Sequence, residues 1–251
     1  METEISTAHI SHRAVRALLT SSDWTLNDNV PPASLVDVAN ERVESGTHFA
    51  YLGSNLDSSG YCTPELLRCI GIASMVFGRL DSVWKQSRLS LQTKLRICTS
   101  HVQSSLLHGA DTWTIRKADG KRLQAFRILC QHCILGIRWS DFVTNSAVTE
   151  KTRLPDICAV IDDRKLALFG HVRRLPEGTP AHDVLHASVE SHAGMVPHPG
   201  WWRKPGRPRC TWLRDFLKAT CLTAREAWTA ADEWEEWHRW LRVLMMMMND
   251  S

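Results

Sequence analysis

Between Thr63 and Gly136 the apolar residues of this chain recur at steps of three and four. Thr63-Pro64-Glu65 reads as a helix start: a hydroxyl at the N-cap, Pro at the first helical position, then an acid at the positive end of the dipole. Leu66, Ile70, Ala73, Phe77, Leu80 and Trp84 follow as one buried stripe. Ser90 caps a second helix, with Leu91, Leu95, Cys98, Val102 and Leu106 inward and Gly109 as its stop. A third spans roughly Asp119 to Leu135 on a stripe of Leu123, Phe126, Cys130 and Ile134, and Gly136 ends it. Further on, a short helix near 145–153 stops before Pro155, and a longer one from Asp156 to Arg174 buries Ile157, Ile161, Leu168 and Val172. The last unit is a helical pair, Thr211–Ala219 and a helix from Thr223. Thr223-Ala224-Arg225-Glu226 fits a capping box, and Trp234, Trp237, Leu241 and Leu244 share one face.

Ahead of Thr63 the pattern is that of strands. Pro31-Pro32 opens it, and SLVDV (34–38), a polar turn at Asn40-Glu41 and HFAYLG (48–53) predict a two-stranded hairpin. The expected fold is therefore mainly α, a helical bundle plus a distal helical module, with a short β-hairpin near the front. The segments are 1–30 without a defined element, 31–60 the hairpin, and 61–140 the bundle. After it come 141–175 as a helical connector, 176–210 as a Pro/Gly/His-rich basic loop with a single helical turn at most, and 211–251 as the C-terminal helical pair. The chain shows no internal repeat.

Charge sharpens this picture. The net charge of +3 over 251 residues hides an uneven spread. Residues 1–65 hold 3 basic and 9 acidic residues, 66–214 hold 23 and 11, and 215–251 hold 4 and 7. A basic middle between acidic ends is what a polyanion-binding surface looks like in sequence, and equally what a solvated helical surface rich in Lys and Arg looks like. The densest part is 85–140, where Lys85, Arg88, Lys94, Arg96, Arg116, Lys117, Lys121, Arg122, Arg127 and Arg138 stand against Asp111 and Asp119. Such a cluster, placed on the outer helix faces, can track a phosphate backbone without reading sequence. Arg173, Arg174, Arg203, Lys204, Arg207 and Arg209 extend it. Lys204–Arg209 has the Gly-Arg-Pro core of an AT-hook, but Pro205 precedes the Gly where Arg is usual, so a basic loop touching phosphates is expected.

Eight cysteines, most of them inside helical patterns, favour reduced thiols in an intracellular compartment, with nucleus and cytoplasm left open. METEIS lacks the pattern of a secretory signal, and no apolar stretch approaches membrane-spanning length. Cys130-Gln131-His132-Cys133 has half the ligands of a zinc site, but no second pair exists and Cys130 falls on a buried stripe. HDVLHASVESH, His182 to His192, has the spacing of the zinc-peptidase pattern H-E-x-x-H-x-x-G-x-x-H. Asp183 replaces the general base and Val189 the Gly that turns the chain, so no catalytic zinc is expected there and no residue is assigned to a metal. A zinc hydrolase is the remote alternative.

Six stretches in order resemble a known family: FAYLGSNLDSSG (49–60), VWKQSRLSLQTKLRIC (83–98), LLHGADTW (106–113), RLQAFRILCQHCILGIRWSDFVTN (122–145), FGHVRRLPE (169–177) and GRPRCTWLRDF (206–216). They look like the C-terminal part of the reverse transcriptase of a non-LTR (LINE-type) retrotransposon, over about four-fifths of the chain. The resemblance implies that Phe49, Tyr51, Leu52 and Gly53 form a primer grip, a palm remnant supporting the growing 3′ end. It implies that the helices of 61–140 form the thumb, and that RNA or DNA, as a primer–template duplex, is the partner. No membrane and no small-molecule substrate are expected. The family's metal-binding carboxylates lie upstream of the primer grip, and the 48 residues before Phe49 hold no Asp-Asp pair. The chain is therefore expected to be a truncated element, without catalytic residues, that binds nucleic acid but does not polymerise alone. Mg²⁺ is implied only for the complete polymerase. Ala231-Asp232-Glu233-Trp234-Glu235-Glu236-Trp237 departs from the family's terminal Ala-x-Asp-Arg-x-x-Trp pattern. The alternative from another class is a small helical DNA-binding or scaffold protein reusing this fold.

Overall fold

The computed structural model describes residues 36–38, 41–43, 48–51, 53–57, 62–195 and 211–235, together with 237 and 239. The expectations for residues 1–30, Leu52, Arg203, Lys204, Arg207, Arg209, Leu241 and Leu244 fall outside these.

Four short strands lie at the front: β1 Val36–Val38, β2 Glu41–Val43, β3 His48–Tyr51 and β4 Ser54–Asp57. They form two separate antiparallel pairs, β1 with β2 and β3 with β4. This corrects the single hairpin expected from 34–38 and 48–53. The strand carrying Phe49 pairs with the residues that follow it, Phe49 opposite Leu56 and Tyr51 opposite Ser54. The physical reason is loop closure. The turn at Gly53, which takes φ +76°, joins two strands over a short loop, at lower entropic cost than reaching back to residue 36.

The rest is helical. α1 is Thr63–Arg79, α2 Asp81–Trp84, α3 Leu91–Ile97 and α4 Ser104–Leu106. α5 is Lys117–Leu135, α6 Asn145–Thr152, α7 Ile157–Arg173, α8 Pro180–His192, α9 Trp212–Thr220 and α10 Ala224–Ala230. The caps expected at Ser90 and Thr223 lie where the sequence predicts them, and the structure adds three more at Thr144, Asp156 and Thr211. Ser90, Thr144, Asp156, Thr211 and Thr223 each accept a backbone N–H at a helix start, and Thr223–Glu226 closes a capping box. Gly109 and Gly136 adopt the left-handed conformation that ends a helix. Thr63 is an exception. It lies inside α1, and its hydroxyl donates to Asp119 at 3.0 Å, tying the starts of α1 and α5 together.

The second helix is not uniform. Cys98–Gln103, between α3 and α4, is π-helical. Ser100, Ser104 and Ser105 return hydrogen bonds to backbone carbonyls over the same stretch, which loosens the regular ladder. The expected loop at 176–210 is corrected over Pro180–His192, a full helix. Pro180 occupies its first turn, Asp183 reaches back to the Gly178 N–H at 3.1 Å, and Ala181, Leu185 and Val189 form a buried stripe. Proline here starts a helix, although in a Pro/Gly-rich stretch it marks a loop by composition.

Two hydrophobic cores follow one another. The first gathers Leu66, Cys69 and Ala73 of α1 with Leu95, Val102, Leu106, Trp113, Leu123, Cys130 and Ile134, and it includes Ile157 and Ile161 of α7. The second gathers Leu166, Phe169 and Val172 of α7 with α8, α9, α10 and Trp237. α7 is therefore shared between both cores, where the sequence pattern suggested a connector. Trp237 is 1% exposed and Trp234 58%, so these two do not share a buried face as expected.

Candidate nucleic-acid interface

The hairpin β3–β4 is fastened to α1 by ionic chemistry. Glu65, buried, accepts from the Asn55 N–H at 2.9 Å and is held from the other side by the Arg68 guanidinium at 2.8 Å. Arg68 also donates to the Gly53 carbonyl at 2.6 Å, so one side chain links the turn and the helix. Burial pushes the Glu65 carboxyl up, but the hydrogen bonds from Arg68, Asn55 and Ser54 outweigh it and hold its pKa below the ordinary value. The hairpin thus presents Phe49, 62% exposed, from a fixed base. Of the four expected grip residues, Phe49 and Gly53 are placed this way. The Tyr51 backbone is paired within the strand.

The ten basic residues of 85–140 do not act as one outer face. Arg127 is the clear correction: it is 6% exposed, and neither of its terminal nitrogens has a hydrogen-bond partner among the described residues. Burial lowers its pKa, opposed by Asp156 and the thiols of Cys98 and Cys130. The cause was legible, because 127 lies four residues after Leu123 and three before Cys130, on the buried stripe itself. Arg116 and Arg122 both grip buried Asp119, at 3.2 and 2.8 Å. Lys94 donates to the Trp84 carbonyl at 2.6 Å, and Lys85 pairs with Asp81 at 2.5 Å on the surface. Farther along, Arg173 pairs with Asp232 at 2.9 Å and lies 4.5 Å from the centroid of the Trp228 ring. Arg174 donates to the Ala231 carbonyl at 2.9 Å. Lys94, Arg116, Arg122, Arg173 and Arg174 brace the fold, whereas Lys85 stays on the surface and Arg88 is exposed with no partner among the described residues. The side chains of Arg96, Lys117, Lys121 and Arg138 are exposed and have no partner among the described residues. The basic stretch near 203–209 lies outside them.

Sequence reasoning missed a cluster at the joint between the two cores. Lys165, 1% exposed, sits on the buried stripe of α7 and places its ammonium 2.6 Å from Asp215 of α9 and 3.6 Å from Asp162. Asp215 also accepts the Ile115 N–H at 3.4 Å. Burial, more than the neighbouring charges, raises the pKa of Asp162. Above these carboxylates opens a cleft of about 410 Å³, lined by Ile115, Arg116, Lys117, Gly120, Lys121, Gln124, Cys158, Asp162 and Asp215. Gly120 lets α5 and α7 close at its base, since a Cβ there would meet the Cys158 sulfur at 3.1 Å. The signal was present as a charged residue at a core position of α7, between Ile161 and Leu168.

Comparison with family models, with curated proteins and with solved structures finds no match to this chain.

The two histidine motifs resolve differently. Cys130 belongs to the first core, where burial raises its thiol pKa and keeps it protonated. The stretch from His182 to His192 is continuous helix through Val189, which carries His192 away from the side shared by His182 and His186. His182 is buried against Trp228 with its Nδ1 3.2 Å from Asp183. Among the described residues, no group of three His, Cys, Asp or Glu side chains is placed to hold a metal ion. None of the helices among these residues is long and apolar enough to cross a membrane.

Proposed function

We propose that this chain is the primer-grip and thumb region of a non-LTR retrotransposon reverse transcriptase, a unit that clasps a primer–template duplex by its backbone. The observation that carries this reading is the β3–β4 hairpin. It bears an exposed Phe49, it is fastened to α1 through Glu65 and Arg68, and the helical bundle follows it directly in the chain. An exposed aromatic on a braced strand suits stacking against a base or sugar. The exposed cations Arg96, Lys117, Lys121 and Arg138 suit phosphate contact.

Fluorescence anisotropy with a labelled primer–template hybrid across a salt series tests the binding. With about four phosphate contacts, log affinity should fall with log salt at a slope of about −3 to −4. Lys117→Ala and Lys121→Ala should each weaken binding and flatten the slope by about one unit or less. Sequence should matter little. A flat salt response, or no binding at low salt, overturns the reading.

A small helical DNA-binding or scaffold protein is the second reading. It is favoured by the pairing of Lys94, Arg116, Arg122, Arg173 and Arg174 with partners in the same chain, which commits much of the charge to the fold itself. Phe49→Ala separates the two: it should weaken binding to a recessed primer end if the hairpin is a grip, and leave it unchanged otherwise.

A further inference from the structure

The cleft at the start of α5 has two sides of opposite character. One side carries Lys117 and Lys121, one helical turn apart, both exposed and without a partner among the described residues. The other side offers acceptors. Asp215 lines the cleft and uses its Oδ2 for Lys165 and Ile115, while its Oδ1 has no partner among the described residues. Asp162 approaches Lys165 only at 3.6 Å through Oδ1. Both carboxylates remain partly open to solvent. Between the two sides lie the apolar surfaces of Ile115 and Cys158. Burial pushes the Cys158 thiol up to about 11, so it stays neutral.

We propose that this cleft binds one nucleotide unit, its phosphate on Lys117 and Lys121 and the hydrogen-bond donors of its sugar or base on Asp162 and Asp215. Each alternative fails on one side. A dicarboxylate is repelled by Asp162 and Asp215 and brings no donors to them. A polyamine meets the carboxylates but is repelled by the two lysines. A nucleotide carries an anion at one end, donors at the other and a flat apolar face between. The volume of about 410 Å³ falls in the range of small-ligand sites. This site lies beyond the thumb reading and does not rest on it.

The unit could be a free nucleoside phosphate or the terminal nucleotide of a strand, which share this chemistry. Isothermal titration of the full chain separates them, using adenosine 5′-monophosphate, adenosine, inorganic phosphate and a 5′-phosphorylated oligonucleotide as probes. The monophosphate should bind saturably at one site, more tightly than adenosine or inorganic phosphate alone. Lys117→Ala/Lys121→Ala, at two exposed positions, should weaken it about tenfold or more, the loss expected for a charge-assisted contact. Asp162→Asn should weaken it too, while Arg138→Ala, outside the cleft, should not. Tighter binding of the 5′-phosphorylated oligonucleotide than of the same strand with a 5′-hydroxyl assigns the site to a strand terminus; equal binding of those two strands, with saturable binding of the monophosphate, assigns it to a free nucleotide. No saturable binding of either probe overturns the proposal. So does unchanged affinity in the double lysine variant, or inorganic phosphate binding as tightly as the monophosphate. Monophosphate binding without primer–template binding keeps the cleft and removes the thumb; the converse removes the cleft alone.

Discussion

Asp215→Asn should destabilise this protein more than Lys165→Met, although both break the same ion pair. The reason is where each charge sits. The Lys165 ammonium is 1% exposed, and its close partner is Asp215 at 2.6 Å. Removing that carboxylate leaves a buried cation with Asp162 alone at 3.6 Å. Breaking a buried pair in this way costs about 3–5 kcal/mol. Here Asp162 remains and water reaches the cleft, so about 2–4 kcal/mol is expected. Lys165→Met removes the buried charge itself and fills its path with a flexible apolar chain. The carboxylates left behind face the cleft and are hydrated there, so about 0–2 kcal/mol is expected. The double variant should cost less than the sum of the singles, because Asp215→Asn no longer strands an ammonium. Urea unfolding followed by tryptophan fluorescence measures all three, and Trp212 of α9 reports on the same joint. If Asp215→Asn costs no more than Lys165→Met, the charge on Lys165 is not the buried, dependent partner argued here.

Gly170→Ala should destabilise, by about 1–3 kcal/mol as overpacking does, although Ala is the better helix former by about 1 kcal/mol. A Cβ at 170 would lie 2.6 Å from Trp237 Cδ1, and Trp237 is 1% exposed and hydrogen-bonded to the Leu166 carbonyl. Thermal denaturation decides the sign, and a stabilised variant would show that Trp237 does not lie on that backbone. Leu95→Ala, near-fully buried in the first core, should cost about 2–5 kcal/mol in urea unfolding with no change in the salt slope of nucleic-acid binding. For Glu65 the folded pKa lies below the ordinary 4.5, so its contribution is fully present above that value and is lost as pH falls through the lowered one. Wild type should therefore exceed Glu65→Gln in stability at neutral pH, and the two should converge in acid; an equal gap at both would contradict the sign. Asp162, raised by burial, works in the opposite sense.

The helices were legible along the chain because their determinants are local. Ser90, Asp156, Thr211 and Thr223 cap the helices they precede, Gly109 and Gly136 end them, and the stripes that hold Leu66 in α1, Leu123 in α5 and Ile157 and Ile161 in α7 are each read by period alone. Even buried Arg127 follows from that period, although its charge alone predicts a surface position. What tertiary structure decided is whatever depends on residues distant in sequence. Strand partners are such a case, since a short turn at Gly53 competes with a longer closure and only the folded chain shows which wins. The sharing of α7 between two cores is another, because nothing in its own pattern says where one neighbour gives way to the next. The fate of the basic residues is the third. A lysine or arginine has the same charge in the sequence whether it faces solvent, like Lys121, or lies against a carboxylate from a helix 50 residues away, like Lys165. Coulombic partners and desolvation are properties of position in space, and so is the cleft they build.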